Sequence, residues 1–287
     1  MMLKLTDNDF ERLVAYMKEN YGINLEKKRV LIEGRLSNMV LRRGFNSFKE
    51  FIDFAFADKT GNETMQLVNK LTTNHTFFLR EPEHFEFLKN TILPYLEKTN
   101  EKTHSMKLWC AASSTGQEPY TIAMTIDEYF GANAAKWDWK LLATDLDTDV
   151  LRKAQAGIYS EEMVKDVPAH WLSKYFTKID DKNYQVIERI RKQVVFRQFN
   201  LMDPIVCSVP FDFISCRNVM IYFEQETKNA LIERFYDVTK EGGYLFIGHA
   251  ESVGKDTRYT YVKPAVYRKI SNKPAGGRTY AGRTFNQ

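Results

Sequence analysis

The stretch Lys107-Leu-Trp-Cys-Ala-Ala-Ser-Ser-Thr-Gly-Gln-Glu-Pro-Tyr120 limits what this chain can fold into more than any other. Leu108 to Ala112 is a short apolar run that reads as a buried strand. Small residues and one glycine follow (Ser113, Ser114, Thr115, Gly116). Glu118 and Pro119 then open a run with helical periodicity through Ile122, Ala123, Ile126 and Tyr129. Strand, tight turn and helix form the first unit of a nucleotide-binding α/β sheet. Backbone N–H groups at such a turn can face a ligand, and small residues let it approach closely. A turn with one glycine also occurs in sheets that bind nothing there, so the surrounding chain has to decide.

At 287 residues the chain can hold one large domain or two smaller ones. Apolar content of 44% and charged content of 27% describe a soluble protein with a sizeable core. No apolar run reaches the roughly 18 residues of a membrane span, and Met1 to Asp7 lacks a signal-peptide core, so a cytoplasmic location without membrane insertion is expected. Cys110, Cys207 and Cys216 are odd in number and widely spaced, which favours buried thiols over a disulfide framework or a zinc site. The five histidines form no HExxH pattern, and no metal is assigned. A net charge of +4 suits weak attraction to an acidic partner and does not by itself indicate nucleic acid.

The first part of the chain is helical. Thr6 to Asp9 looks like a capped helix start, and Phe10, Leu13, Val14 and Met17 continue an amphipathic stripe to a stop at Gly22. A second helix is expected from about Glu26 to Arg43, a third after the capping box Ser47-Phe-Lys-Glu50, and a fourth from Glu63 to Leu71. Lys28, Arg35 and Arg42 recur at every seventh residue and so share one edge of the second helix. That edge is either a solvated face or a docking surface for an acidic macromolecule.

Residues 72–105 read as a linker segment. Asn74, Thr76 and Arg80 alternate there with His75 and aromatics, and Pro82 suits the first turn of a following helix. The segment is either a hydrophobic clamp or a lid that lays polar groups over a ligand. Beyond the opening stretch, Lys140 to Asp145 reads as a second strand ending in acids. Asp145 lies about 30 residues past the glycine turn, where nucleotide-binding folds place a carboxylate on ribose hydroxyls. Asp147 fits better as the cap of a helix from Thr148 to Ala156. Alternation from Tyr184 to Val195, with a turn at Asp180 to Asn183, suggests a small antiparallel hairpin. Val194 to Leu201 reads as a further strand, ending near Asn200. Phe211 to Cys216 starts another strand, which runs into Arg217, Asn218 and Tyr222 at the edge where open sheets hold ligands. A helix from Gln225 to Lys240, a break at Glu241-Gly-Gly243, a strand from Tyr244 and a final antiparallel strand from Tyr261 to Lys269 complete the domain. The last residues, 271–287, read as a flexible tail.

Four ordered motifs then stand out: Thr72-Thr-Asn-His-Thr-Phe-Phe-Leu-Arg80, Ala112-Ser-Ser-Thr-Gly-Gln-Glu-Pro-Tyr120, Ala143-Thr-Asp-Leu-Asp147 and Cys216-Arg-Asn-Val-Met-Ile-Tyr-Phe223. Gly248-His-Ala-Glu-Ser252 follows near the end. Together they resemble the chemotaxis-receptor protein-glutamate O-methyltransferases, the CheR family, from about Thr6 to Lys269. The resemblance implies an α/β fold: a Rossmann-like S-adenosylmethionine-dependent methyltransferase sheet over residues 106–270, an N-terminal all-α docking domain over 1–71, and a small antiparallel β-subdomain inserted at about 177–198. It places cofactor contacts on Asn74, Thr76, Arg80, Glu118, Asp145, Asn200, Leu201, Arg217 and Asn218, and receptor docking on Lys28, Arg35 and Arg42. The implied partner is the cytoplasmic helical domain of methyl-accepting chemotaxis receptors, met by a monomer. The turn Asp180 to Asn183 is short and lacks the glycines of members that grip a C-terminal receptor pentapeptide, so dependence on that tether is not expected.

The implied reaction carries methyl from S-adenosylmethionine to a receptor glutamate and leaves S-adenosylhomocysteine. A glutamate with pKa near 4.3 is already ionised at neutral pH, so no general base is required. Alignment and loss of water from the carboxylate remain, and orientation alone supplies roughly 7–11 kcal/mol. Arg80 is expected to hold the cofactor carboxylate or the substrate side chain by bidentate pairing. Tyr222 either positions the incoming carboxylate or packs in the core, and Glu118 takes the cationic end or the ribose of the cofactor. One rival reading is a non-catalytic adaptor that binds receptor and cofactor as a sensor, against which stand the intact polar positions at every strand end; the other is a nucleic-acid methyltransferase. Against it, Arg217-Asn-Val-Met lacks the paired prolines of amino-group methyltransferases, and the basic helix lacks interleaved aromatics.

Overall fold

The computed structural model describes residues 3–72 and 75–271; Asn74 and the tail after Ser271 lie outside the described residues. Helices α1 (Asp7–Tyr21), α2 (Arg29–Arg42), α3 (Phe48–Ala57) and α4 (Asn62–Leu71) come first. Their starts follow the capping chemistry of the sequence. Thr6 Oγ1 accepts from Asp9 N at 3.1 Å, Gly22 closes α1 at φ 70°, and Ser47 Oγ accepts from Glu50 N at 3.2 Å. Helix α2 begins three residues later than expected from the sequence. Asn24 Oδ1 takes the Glu26 N–H at 3.0 Å and Lys28 N donates to Leu25 O at 2.9 Å, so these residues are spent on a turn.

Helix α5 (Pro82–Phe87) runs through a π-helical turn at Leu88–Ile92 into α6 (Leu93–Thr99) without a break. The α/β part follows: β1 (Ser105–Ala111), α7 (Gln117–Phe130), β2 (Asp138–Asp145), α8 (Thr148–Ala156), β3 (Ile158–Ser160), α9 (Glu161–Val164), α10 (Ala169–Tyr175), β4 (Phe176–Lys178), β5 (Asn183–Val186), α11 (Glu188–Arg191), β6 (Val194–Gln198), β7 (Phe211–Cys216), α12 (Gln225–Val238), β8 (Thr239–Phe246), β9 (Thr260–Lys263) and β10 (Val266–Arg268). The main sheet has the order β6-β2-β1-β7-β8-β10-β9, with β6 through β8 parallel and β10 antiparallel to both its neighbours. The chain works outward from β1 to β2 and β6, then returns to β7 on the other side of β1. That reversal opens a crevice at the carboxyl ends of β1 and β7, where such sheets bind ligands.

Strand β1 shows why the sheet is buried on both faces. Leu108 and Cys110 join a core with Leu88, Ile92, Leu96 and Ile122 from α7 and the α5–α6 helix. Trp109 and Ala111 join the other core, with Ile214, Leu231 and Phe235. This second core continues into Leu13, Met17, Ile32, Leu36 and Phe51 of the N-terminal helices. An antiparallel bridge from Ile23 to Phe223, with Asn24 N donating to Tyr222 O at 2.8 Å, closes the seam beside the crevice.

Three sequence expectations are corrected. The small antiparallel sheet has the order β3-β5-β4 and starts at Ile158, whereas Val194–Gln198 belongs to the main sheet, parallel to β2. A three-residue strand gives no period-two signal, and the two adjacent strand patterns merged into one apparent subdomain. Gly242 and Gly243 lie inside β8, where Gly242 (φ 78°) takes a left-handed conformation near a register shift against β7. The last strand is two, β9 and β10, separated by a turn with Ala265 at φ 62°.

Candidate active site

The backbone after β1 turns left-handed at Ala112 (φ 61°), Ser114 (φ 48°) and Gly116 (φ 96°) before α7 begins. Only Gly116 must be glycine for packing as well as for φ. A Cβ there would lie 2.8 Å from Tyr159 Oη and 2.9 Å from Ala154 Cβ. Tyr159 Oη also donates to Thr115 O at 2.8 Å, so β3 and α8 brace the turn from behind. Asp145 faces it from the end of β2. Its Oδ2 accepts from Ser114 N at 2.8 Å and its Oδ1 from Asp147 N at 3.0 Å. Burial pushes the Asp145 carboxyl above the usual carboxylate range, partly offset by those N–H donors. Asp147 caps α8 through Asp149 N at 2.7 Å and takes the amide of Asn69 from α4 at 2.6 Å.

Arg217, at the end of β7, is the centre of charge. Its side chain is 1% exposed and lies between two carboxylates, with Nη1 3.2 Å from Glu118 Oε2 and Nη2 3.1 Å from Glu81 Oε2. Nη2 also donates to the carbonyl of Arg80, and the guanidinium stands 5.3 Å over the Phe85 ring. Burial would pull its pKa down, but Glu118 and Glu81 more than offset this and hold it charged. Glu118 Oε1 accepts from Ser215 Oγ at 2.5 Å, which leaves the first turn of α7 pinned to β7. Glu81 (φ 59°) receives Asn218 Nδ2 at 3.2 Å and His249 N at 3.3 Å in addition to Arg217. Burial raises its carboxyl, yet these donors bring it to a net position below the usual range.

Thr76, Arg80, Glu118, Asp145, Asn200, Leu201, Arg217, Asn218 and Tyr222 all line one cleft at this crevice. Arg80 extends from the segment over the cleft, its Nη1 donating to His75 O at 2.7 Å. Asn200 Nδ2 donates to Asn20 O at 2.8 Å, tying the end of β6 to α1. Sequence reasoning missed Glu81, although it stands beside Arg80 in a recognised motif, because its role depends on a left-handed backbone and a partner over a hundred residues away. It also missed the wall that Tyr21, Ile23, Met65 and Asn69 contribute from the helical part. Of the three basic residues expected along one edge of the second helix, Lys28 instead takes the N-cap position of α2, in the turn before it; it and Arg42 are exposed, whereas Arg35 Nη1 donates to Leu71 O at 2.9 Å and Thr72 O at 3.1 Å at the end of α4.

Glu81, His84 and His249 bring ligand-type atoms within 4.8 Å of one another, a convergence that the search for HExxH did not reach. The Glu81 oxygens already receive N–H groups from Arg217, Asn218 and His249, with a guanidinium at 3.1 Å. The surroundings of Glu81 therefore suit a caged anion, and nothing in them favours a divalent cation.

The donor set fits an adenosyl cofactor. Asp145 keeps lone pairs free for a ribose diol, Leu146, Phe199, Leu201 and Val219 offer apolar surface for a base, and Ser113 Oγ, Ser114 Oγ and Arg217 Nε are buried without a protein partner. When bound, the cofactor supplies a methyl group activated by a sulfonium.

Comparison with known proteins agrees with this geometry. Residues 8–72 match the CheR methyltransferase all-alpha domain and residues 74–267 the CheR methyltransferase SAM binding domain. A chemotaxis protein methyltransferase of Borreliella burgdorferi is 42% identical over 272 residues, 93% of this chain and 96% of that protein. Its counterpart in Escherichia coli is 34% identical, covering 92% of each chain. Chemotaxis protein methyltransferase 2 of Vibrio cholerae is 32% identical, covering 96% of each. A crevice built for an adenosyl group at the switch point of this sheet, together with matches spanning both parts of the chain, makes it a member of the CheR family and an S-adenosylmethionine-dependent methyltransferase.

Proposed function

We propose that this chain transfers methyl from S-adenosylmethionine to glutamate side chains of chemotaxis receptors, forming methyl esters. The observation that carries the reading is the convergence of nine residues, from the lid segment, α7 and the ends of β2, β6 and β7, on one cleft. No general base is needed, since the acceptor carboxylate is ionised at neutral pH. Asp145 holds the ribose. Glu118, kept beside Arg217, faces the cationic end of the cofactor or its ribose. Arg80, on a segment that arches over the cleft, pairs with the cofactor carboxylate or the incoming glutamate, and Tyr222 aligns that glutamate through its hydroxyl. Asn74, for which the family resemblance implies a cofactor contact, lies outside the described residues.

The partner in this reading is the cytoplasmic helical domain of the receptor. Exposed Arg42 on α2 and Lys28 at its N-cap face it, while Arg35 supports that side by tying α2 to α4. The enzyme acts as a cytoplasmic monomer, and nucleic acid is not its substrate. Among the described residues no helix is long and apolar enough to cross a membrane. The turn between β4 and β5 is tight, with Lys182 N on Asp180 Oδ1 at 2.8 Å, which supports independence from a pentapeptide tether. Incubation with tritiated-methyl S-adenosylmethionine and a purified receptor cytoplasmic domain tests the reading. Base-labile label on receptor glutamates is the expected result; label on nucleic acid, or none on receptor, rejects it.

A further inference from the structure

The motif Gly248-His-Ala-Glu-Ser252 has no part in the roles given so far, yet its Glu251 is 9% exposed and packed behind the cleft. Among the described residues no lysine or arginine pairs with it. Its carboxylate is filled by backbone N–H groups: Oε2 accepts from Asn218 at 2.9 Å and from Gly248 at 2.6 Å, and Oε1 accepts from Ile221 at 3.2 Å. These donors lie on two separate segments, the turn after β7 and the chain leaving β8. Beyond these donors the turn is tied at its far end, where Asn24 N donates to Tyr222 O at 2.8 Å and Ile23 bridges Phe223, and at its near end by Asn218 Nδ2 on Glu81 at 3.2 Å. Within it, Tyr222 N reaches Val219 O at 3.2 Å and Phe223 N reaches Met220 O at 3.0 Å. Asn218 sits left-handed at φ 60°, flat against Gly248, where a Cβ would come 2.4 Å from its Nδ2.

We propose that Glu251 is a positioning residue for methyl transfer: by gathering the N–H groups of Asn218, Ile221 and Gly248 it fixes the turn that presents Asn218 and Tyr222 to the cleft. Arg217 is held independently by Glu81 and Glu118, so the cofactor-facing guanidinium does not depend on Glu251. Asn218 likewise keeps its side-chain amide on Glu81 at 3.2 Å, so the effect should fall on Tyr222 more than on cofactor binding. The activity arm of the test rests on the methyl-transfer reading; the exchange arm does not.

Glu251→Gln is nearly isosteric but turns an NH2 toward donors that need an acceptor. Hydrogen exchange, calorimetry with S-adenosylhomocysteine, and kcat and KM for the parent and the variant are measured together. Exchange is expected to quicken in residues 216–223 and 247–251 and to stay unchanged elsewhere. The kcat should fall about tenfold or more, as when a buried N–H loses its partner, with cofactor affinity changed less than about threefold. Added to Tyr222→Phe, the same change should cost less than about threefold further, because both act through one side chain. Unchanged exchange in those segments, loss of protection throughout the chain, or independent effects in the double variant would overturn the proposal. If the parent transfers no methyl to receptor, the functional reading fails, while the exchange data still decide whether Glu251 fixes the turn. Should Glu251→Gln not fold, Glu251→Asp, which keeps the charge on a shorter arm, is read by the same criteria.

Discussion

His84 gives the chain a specific weakness to acid. It stacks on Phe246 at 4.7 Å between centroids, is fully buried, and neither ring nitrogen has a hydrogen-bond partner. Burial, reinforced by the nearby Arg217 guanidinium and only partly opposed by Glu81, pulls its pKa down to about 3. In the unfolded chain the same imidazole titrates near 6.5. Between these values the unfolded state binds a proton that the folded state refuses, so stability falls as pH falls through 6.5 and the loss levels off near the folded value. At 1.36 kcal/mol per unit, acidification from pH 7 to pH 5 removes about 2 kcal/mol through this residue alone. Urea unfolding followed by tryptophan fluorescence, at both pH values, on the parent and on His84→Leu, isolates the contribution. Other groups cancel in the comparison, whatever the variant's stability at neutral pH. The variant should lose about 2 kcal/mol less than the parent on acidification. Equal pH dependence in the two proteins, or an NMR titration of His84 near 6.5, would refute the reasoning.

Four further outcomes follow from the site and its supports. Asp145→Ala should weaken S-adenosylhomocysteine binding by about 1.5–3 kcal/mol in calorimetry, the value of hydrogen bonds to a charged acceptor. Arg80→Ala should abolish methyl transfer to receptor; full activity would end its assignment to the reacting centre. Gly116→Ala, which forces a Cβ to 2.8 Å from Tyr159 Oη at φ 96°, should lower stability by about 1–3 kcal/mol in a thermal melt. Reversing Lys28 and Arg42 to glutamate should slow receptor association without changing cofactor affinity, and the effect should shrink at high salt.

Elements with a strong local signal were legible in the sequence. The Thr6 and Ser47 caps, the apolar run of β1 and the acid-ended strand before α8 each announce themselves through neighbours a few residues away. The short strands β3 and β4 were not, because three residues carry no usable period and their pairing is set by β5, over 20 residues from β3. At the site, the motifs identified the groups that face the cleft. They did not identify the groups that hold those residues in place. Glu81, Asn69 and Glu251 act on partners distant in sequence, through one left-handed residue, one interdomain amide and three backbone donors. Nothing local marks a carboxylate as an anchor for backbone amides. Arg35 is the reverse case: its spacing placed it with Lys28 and Arg42, but the end of α4 lies within its reach and takes up its hydrogen bonds.

The core that runs from the N-terminal helices under the sheet limits how this enzyme can be re-engineered. Cutting the chain after α4 would split the shared core, take Leu13, Met17, Ile32, Leu36 and Phe51 out of it and strip Tyr21, Ile23 and Met65 from the cleft. The N-terminal helices are therefore no detachable adaptor. If α2 meets the receptor as proposed, partner choice is better moved between relatives by exchanging its exposed residues than by swapping whole halves, whose buried seams would have to be recut to match.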